Sequence, residues 1–156
     1  MSNIEAMNTF REAAKKLKSV FDGGNYKDCL KPFKLFQISL ITSLHKMNNI
    51  DDQKLAMECL EMGALIGLKI GDISLFEKSI SQLKEFYISN EIKKCTKNRE
   101  KLMGLYLMYL LTQNRLSDFH VELELLNYDD LKNKFIAFPM NIEQYLIQGR
   151  YNKIIN

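Results

Sequence analysis

The chain has 156 residues, of which 46% are hydrophobic, and 22 Lys and Arg stand against 19 Asp and Glu for a formal charge of +3. That length suits one domain able to bury roughly two thirds of its unfolded surface, and the apolar content excludes an intrinsically disordered chain. The near-balanced charge lacks the dense basic face of a dedicated nucleic-acid binder.

Apolar residues Ala6, Phe10, Ala13, Ala14, Leu17 and Phe21 recur at spacings of three and four and predict a first helix over Ile4 to Phe21. Asp22-Gly23-Gly24 ends it. A second helix follows from Tyr26 to about Met47, with Pro32 either in its first turn or kinking it. Asn48, Asn49 and Asp51 form a polar corner before a third helix, about Asp52 to Ile70. In that helix Ala56, Gly63 and Gly67 fall on one side, and interior glycines that cost about 1 kcal/mol each imply a close neighbour. The fourth helix is expected over Ile73 to about Tyr87, followed by a long polar loop, Ser89 to Asn98. The fifth runs from Arg99 to Thr112 and the sixth from Ser117 to Leu126. Tyr128 to Lys132 adds a short turn of helix, Pro139 precedes a seventh helix over Ile142 to Ile147, and Tyr151 opens another. No segment reads as a strand.

Four corners repeat one pattern, a small or polar turn followed by a large apolar residue: Gly24-Asn25-Tyr26, Gly71-Asp72-Ile73, Asn114-Arg115-Leu116 and Gly149-Arg150-Tyr151. Gly or Asn can end a helix in the left-handed conformation while Asp, Ser or Asn caps the next. Tyr26, Ile73, Leu116 and Tyr151 lie 47, 43 and 35 positions apart, the range of helical-hairpin repeats. The expected fold is all-α: one helical-repeat domain over residues 1–156, a right-handed superhelical array of antiparallel hairpins of the tetratricopeptide type. The helix opened by Tyr151, with Ile154 and Ile155, has few residues left to it, so the array is expected to continue in a longer protein.

The longest apolar run, Leu102 to Leu111, is far short of the about 18 residues a membrane span needs, and it reads as a central helix buried on nearly all sides. Cys29, Cys59 and Cys95 are odd in number and far apart, which fits reduced thiols and an intracellular setting. The first seventeen residues carry Glu5, Arg11, Glu12, Lys15 and Lys16, not the apolar core of a signal peptide.

The search for chemistry assigns no catalytic, cofactor-binding or metal residue. His45 and His120 sit in no metal-ligand pattern; His120 and Glu124 share a helical face but fall short of a site. Gly23-Gly24 is not a phosphate loop, and no nucleophile motif surrounds a Ser or Cys. Asp51-Asp52 and Asp129-Asp130 are explained as helix caps in turns. Lys93, Lys94, Lys97, Arg99 and Lys101 have no aromatics between them for base stacking, so they read as a solvated loop.

Several segments in order carry a resemblance: Met62-Gly63-Ala64-Leu65, Ser74-Leu75-Phe76-Glu77, Gln82 to Tyr87, Gly104-Leu105-Tyr106-Leu107, and Leu110 to Arg115. It continues in Asp118-Phe119-His120-Val121-Glu122-Leu123-Glu124, Phe138-Pro139, and Ile142 to Lys153. From about Met57 onward the chain resembles the non-ATPase regulatory subunit 8 family, the small lid subunit of the proteasome regulatory particle. The resemblance implies a non-catalytic scaffold in lid assembly and ubiquitin-dependent degradation. Its partners would be other lid subunits, with no cofactor, nucleic acid, membrane or small-molecule substrate, and its place the cytoplasm and nucleus. It further implies a winged-helix module and a terminal helix beyond the array, His120 then being a structural residue bonded across its corner. A related lid-like array of the signalosome or of an initiation-factor complex shares the architecture, and a basic RNA-binding repeat protein is a more distant alternative.

Overall fold

The computed structural model describes residues 3–44, 49–88, 96 and 98–149. Among them are eight α-helices and no strand: α1 (Asn3–Asp22), α2 (Leu30–Ser43), α3 (Ile50–Ile70), α4 (Ile73–Tyr87), α5 (Arg99–Thr112), α6 (Leu116–Glu124), α7 (Tyr128–Leu131) and α8 (Lys134–Ile147). A 3₁₀ turn, Lys27–Cys29, leads into α2. The chain falls into two compact units, Met1–Thr96 and Lys97–Asn156.

All four corner residues adopt the left-handed backbone, with φ of 85° at Gly24, 81° at Gly71, 56° at Asn114 and 72° at Gly149. Asn114 is the one non-glycine among the described residues to do so, as expected for the residue type that tolerates this region best after glycine. At the second corner Asp72 caps α4 by accepting from the Leu75 amide at 3.1 Å. The third corner departs from expectation. Its helix starts at Leu116, no side chain caps it, and Arg115 instead reaches forward to Asp118 at 2.8 Å.

In the first unit α1 and α2 form an antiparallel hairpin: the Ser43 hydroxyl at the end of α2 donates to the Ala6 carbonyl at the start of α1, 3.1 Å away. The corner at Gly71 folds α4 back on α3, so that Phe76 meets Gly67 and Tyr87 meets Glu61. The first helices of the two hairpins then run parallel, as Arg11 reaching Asp52 and Lys18 reaching Glu58 require. This is hairpin stacking in the order the repeat pattern predicts. Phe10, Phe33 and Phe36 form the aromatic centre, with ring centroids 5.7 and 6.0 Å apart. Each is essentially fully buried, contributing about 1.5–3 kcal/mol apiece.

The small residues of α3 have separate uses. Gly63 accommodates the Phe33 ring, which lies where a Cβ would project. Gly67 lets the backbone of α4 come in, a Cβ there standing 2.8 Å from the Phe76 nitrogen. Pro32 settles in the first turn of α2, where a missing N–H costs least.

In the second unit α5 is central, and buries Leu102, Met103, Tyr106, Leu107 and Leu110. The corner at Asn114 turns α6 back along it, and α8 returns parallel to α5. Pro139 lies inside α8, not ahead of a helix starting at Ile142, which corrects the sequence reading. A proline here leaves the carbonyl four residues back, that of Phe135, without its helical donor. That carbonyl lies against Gly104 of α5, in the place of a Cβ. A helix-breaking residue and a helix-weakening one thus meet at a single backbone contact between α5 and α8.

Candidate interaction surface

Among the described residues, His120, Cys29 and Cys59 each contact a partner within the chain. His120 on α6 places Nε2 at 2.9 Å from Oε1 of Glu143 on α8, and Glu143 is buried while the imidazole is half-exposed. The contact joins α6 to α8 and not, as the sequence reading has it, across the corner between α5 and α6. His45 and Cys95 lie outside the described residues.

Cys59 is buried with its thiol directed at the Ala14 carbonyl, 3.9 Å away. Burial, opposed by Lys18 and reinforced by Glu58, pushes its pKa up to about 12. Cys29 is also shifted upward, by burial first and by Asp28 second. Neither is a thiolate near neutral pH, so neither is poised as a nucleophile.

The paired aspartates do more than cap. Asn49 and Asn127 supply the capping oxygens, accepting from Asp51 and Asp130 amides at 2.9 Å each. That frees Asp52 to take a bidentate bond from Arg11, 2.9 Å on both arms, and this partner shifts the guanidinium pKa upward by hydrogen bonding first and charge second. Asp130 takes a buried bidentate bond from Arg99 at 2.7 and 2.8 Å while also accepting from the Asn127 amide. Arg99 is therefore an interior residue of α5, not part of a solvated loop. The charge count gave no sign of this, because Arg99 and Asp130 are thirty-one positions apart. Lys93, Lys94 and Lys97 lie outside the described residues.

No group of three or more His, Cys, Asp or Glu among the described residues is arranged to hold a metal ion. No described helix is long and apolar enough to cross a membrane.

What remains available is apolar surface. On α2, Pro32, Phe33, Phe36 and Leu40 face the first unit's core, yet Leu35, Ile38, Ile41 and, at the C-cap, Leu44 are also large and lie on the open side. Ile38 and Ile41 expose 62% and 67% of their surface. Spaced by three, the four side chains wind along the exposed half of the helix, with Lys31 and Lys34 at its beginning. A row of this kind exceeds the single exposed apolar residues normal on a protein surface and marks a place where another chain can dock. The signal was present in the sequence: between Phe33 and Leu44 there are too many apolar residues for one helical face.

The stacked hairpins make this an all-α helical-repeat fold with one apolar helix face left open. Residues 97–156 match the profile of the CSN8/PSMD8/EIF3K family. Over 94% of its length the chain is 33% identical to the 26S proteasome regulatory subunit RPN12 of Saccharomyces cerevisiae, of which it covers 58%. It is 29% identical to the 26S proteasome non-ATPase regulatory subunit 8 homolog A of Arabidopsis thaliana, covering 90% of this chain and 56% of the relative. To the 26S proteasome non-ATPase regulatory subunit 8 of Caenorhabditis elegans it is 32% identical, covering 72% and 46%. The chain belongs to this family of proteasome non-ATPase regulatory subunits, and spans about half the length of the curated relatives it matches.

Proposed function

We propose that the chain is the helical-repeat part of a non-catalytic subunit of the proteasome regulatory particle lid. It acts in lid assembly, and so in ubiquitin-dependent protein degradation, as a protein–protein scaffold in the cytoplasm and nucleus. Its partners are other lid subunits, and the exposed face of α2 is the surface through which the first unit meets one of them. The observation that carries this reading is the 33% identity to a proteasome regulatory subunit across 94% of the chain. The open apolar row on α2 supports it, since contiguous exposed apolar surface of this kind marks protein–protein contact sites. The family also includes subunits named for the signalosome and for initiation factor 3, but the three relatives described above are all proteasomal.

The test is affinity purification of the tagged chain from cells, with the co-purifying proteins identified. Lid subunits are expected, together with sedimentation alongside assembled 26S particles. An Ile38→Asp/Ile41→Asp variant should fold with unchanged helical content and lose at least one of those partners. Recovery of signalosome or initiation-factor subunits instead would overturn the reading.

A further inference from the structure

The run from Leu102 to Leu111 is apolar on every side, and its neighbours cover all but one strip of α5. Leu105 and Met108 on that strip, with Phe135 and Phe138 from α8, line an open groove of about 420 Å³. Phe138 is 59% exposed, Phe135 42% and Leu105 36%. The contact of Gly104 with the Phe135 backbone holds the two helices close enough for these side chains to share one floor. The volume lies within the range of ligand-binding clefts.

One end of this groove is positive. Lys101 sits in the first turn of α5 and Lys134 is the first residue of α8; because the helices run parallel, both flank the same end. Among the described residues neither ammonium group has a carboxylate partner. Lys134 instead lies 5.2 Å from the Phe135 ring centroid. Two helix N-termini add their partial positive charge at that end. From Lys101 to Met108 the strip extends about 10 Å along α5, so it matches three or four extended residues or two helical turns of a ligand.

We infer that the α5–α8 groove binds a short linear segment of another protein in which acidic residues at one end precede two large apolar side chains. The apolar residues cover Leu105, Met108 and Phe138, while the acidic end meets Lys101 and Lys134. A second copy of this chain is a poorer occupant. Twofold pairing presents the same lining to itself, and that lining holds no carboxylate to meet Lys101 and Lys134. The inference does not rest on the lid reading, since the groove belongs to the second unit and its ligand is defined by charge and shape alone.

The test uses the whole chain and a labelled synthetic peptide with two Glu at one end followed by Leu and Phe, read by fluorescence anisotropy at low and physiological salt. Saturable, salt-weakened binding is expected. Replacing the two Glu by Lys, or making the Lys101→Glu/Lys134→Glu variant, should weaken it about tenfold or more. Replacing Leu and Phe by Ser, or Phe138→Asp in the protein, should abolish it. Should Phe138→Asp disturb the helical content, the lysine variant, altering only exposed side chains, decides alone. Absent binding, equal affinity for acidic and basic peptides, or indifference to the lysine reversals would overturn the proposal. So would displacement of the peptide by a single-stranded oligonucleotide, or a concentration-dependent dimer in sedimentation that Phe138→Asp dissolves.

Discussion

In the unit spanning Met1–Thr96 the cations that tie helix to helix stand at the rim. Arg11 keeps 44% of its side chain in solvent while gripping Asp52, and Lys18 and Glu58 are each about one-third exposed. Among its described residues this unit buries two carboxylates, Asp52 in the contact with Arg11 and Glu61, which accepts from the hydroxyls of Tyr87 at 2.8 Å and Thr96 at 2.6 Å. In the unit spanning Lys97–Asn156 a full ion pair is inside: Arg99 and Asp130 are each 7% exposed and bonded on both arms. The first unit has three interlocked phenylalanines at its centre and keeps Arg11 and Lys18 partly in water. The second has fewer aromatics in its core, Tyr106 and Phe119 among them, and holds the start of α5 through polar geometry. The difference teaches where specificity resides: in ring shape in one unit, in charge and hydrogen bonding in the other.

The hardest test of that contrast is Asp130→Ala. It takes the bidentate acceptor from a buried guanidinium, leaving Glu100 at 3.7 Å, and removes half of the capping box of α7, which should cost about 3 kcal/mol in denaturant unfolding. The paired replacement Arg99→Met/Asp130→Leu should recover most of the loss, because no charge is then left desolvated. Asp52→Ala in the first unit should shift the unfolding midpoint much less, its Arg11 partner being able to turn to water. Equal shifts from Asp130→Ala and Asp52→Ala would erase the distinction.

Next in size are the glycines. Gly104→Ala drives a methyl into the Phe135 backbone, and a carbonyl in a helix cannot step aside alone. A loss of about 2–3 kcal/mol is expected. Gly63→Ala meets only the Phe33 ring, a side chain that can tilt. Its cost should be smaller, partly offset by about 1 kcal/mol of gained helix propensity. Hydrogen exchange should show faster opening of α5 and α8 in the first variant and of α2 and α3 in the second.

Much of this architecture was legible along the chain. Corners at Gly24, Gly71, Asn114 and Gly149 follow from the few residue types that tolerate a left-handed backbone, and α4 and α5 begin and end where periodicity places them. Less was legible where a residue's role depends on a distant partner. Nothing local to Arg99 reveals Asp130, and nothing beside Pro139 shows that Gly104 welcomes the carbonyl it frees. The sequence places the start of α2 too early because a 3₁₀ turn and an α-helix share the same apolar spacing over three residues. The open surfaces were hardest to foresee. An apolar row predicts burial, whereas Ile38 and Leu105 show that the cover need not come from the chain's own folded neighbours.

Cys59 sharpens the view of the first unit as a dry, shape-held core. Its folded pKa of about 12 lies above the ordinary thiol value of 9.0, so above pH 9 the unfolded chain loses a proton that the folded chain retains. Stability from this group is complete below pH 9 and is lost as pH rises toward 12, about 1.4 kcal/mol having gone by pH 10. Cys29 shifts in the same direction, so the informative quantity is the difference between the native chain and Cys59→Ala, whose alkaline decline should be shallower. A decline of equal slope in the two proteins would mean that water reaches the thiol.

The smallest effect is expected from Lys18→Ala. Its 2.6 Å contact with Glu58 is shared with solvent on both sides, and such a pair is worth about 0.2–1 kcal/mol at neutral pH. Lys18 has a second influence, since its charge holds the Cys59 pKa down while Glu58 raises it. A lysine ammonium gives up its proton at about pH 10.4, before a thiol with a pKa of about 12 titrates, so its removal changes little at the pH where Cys59 ionises. The variant should thus be nearly silent in a neutral denaturation curve and should lose stability at high pH alongside the native chain. A neutral-pH loss well above about 1 kcal/mol would mean that this rim contact is shielded from water, unlike the partly exposed pair seen here.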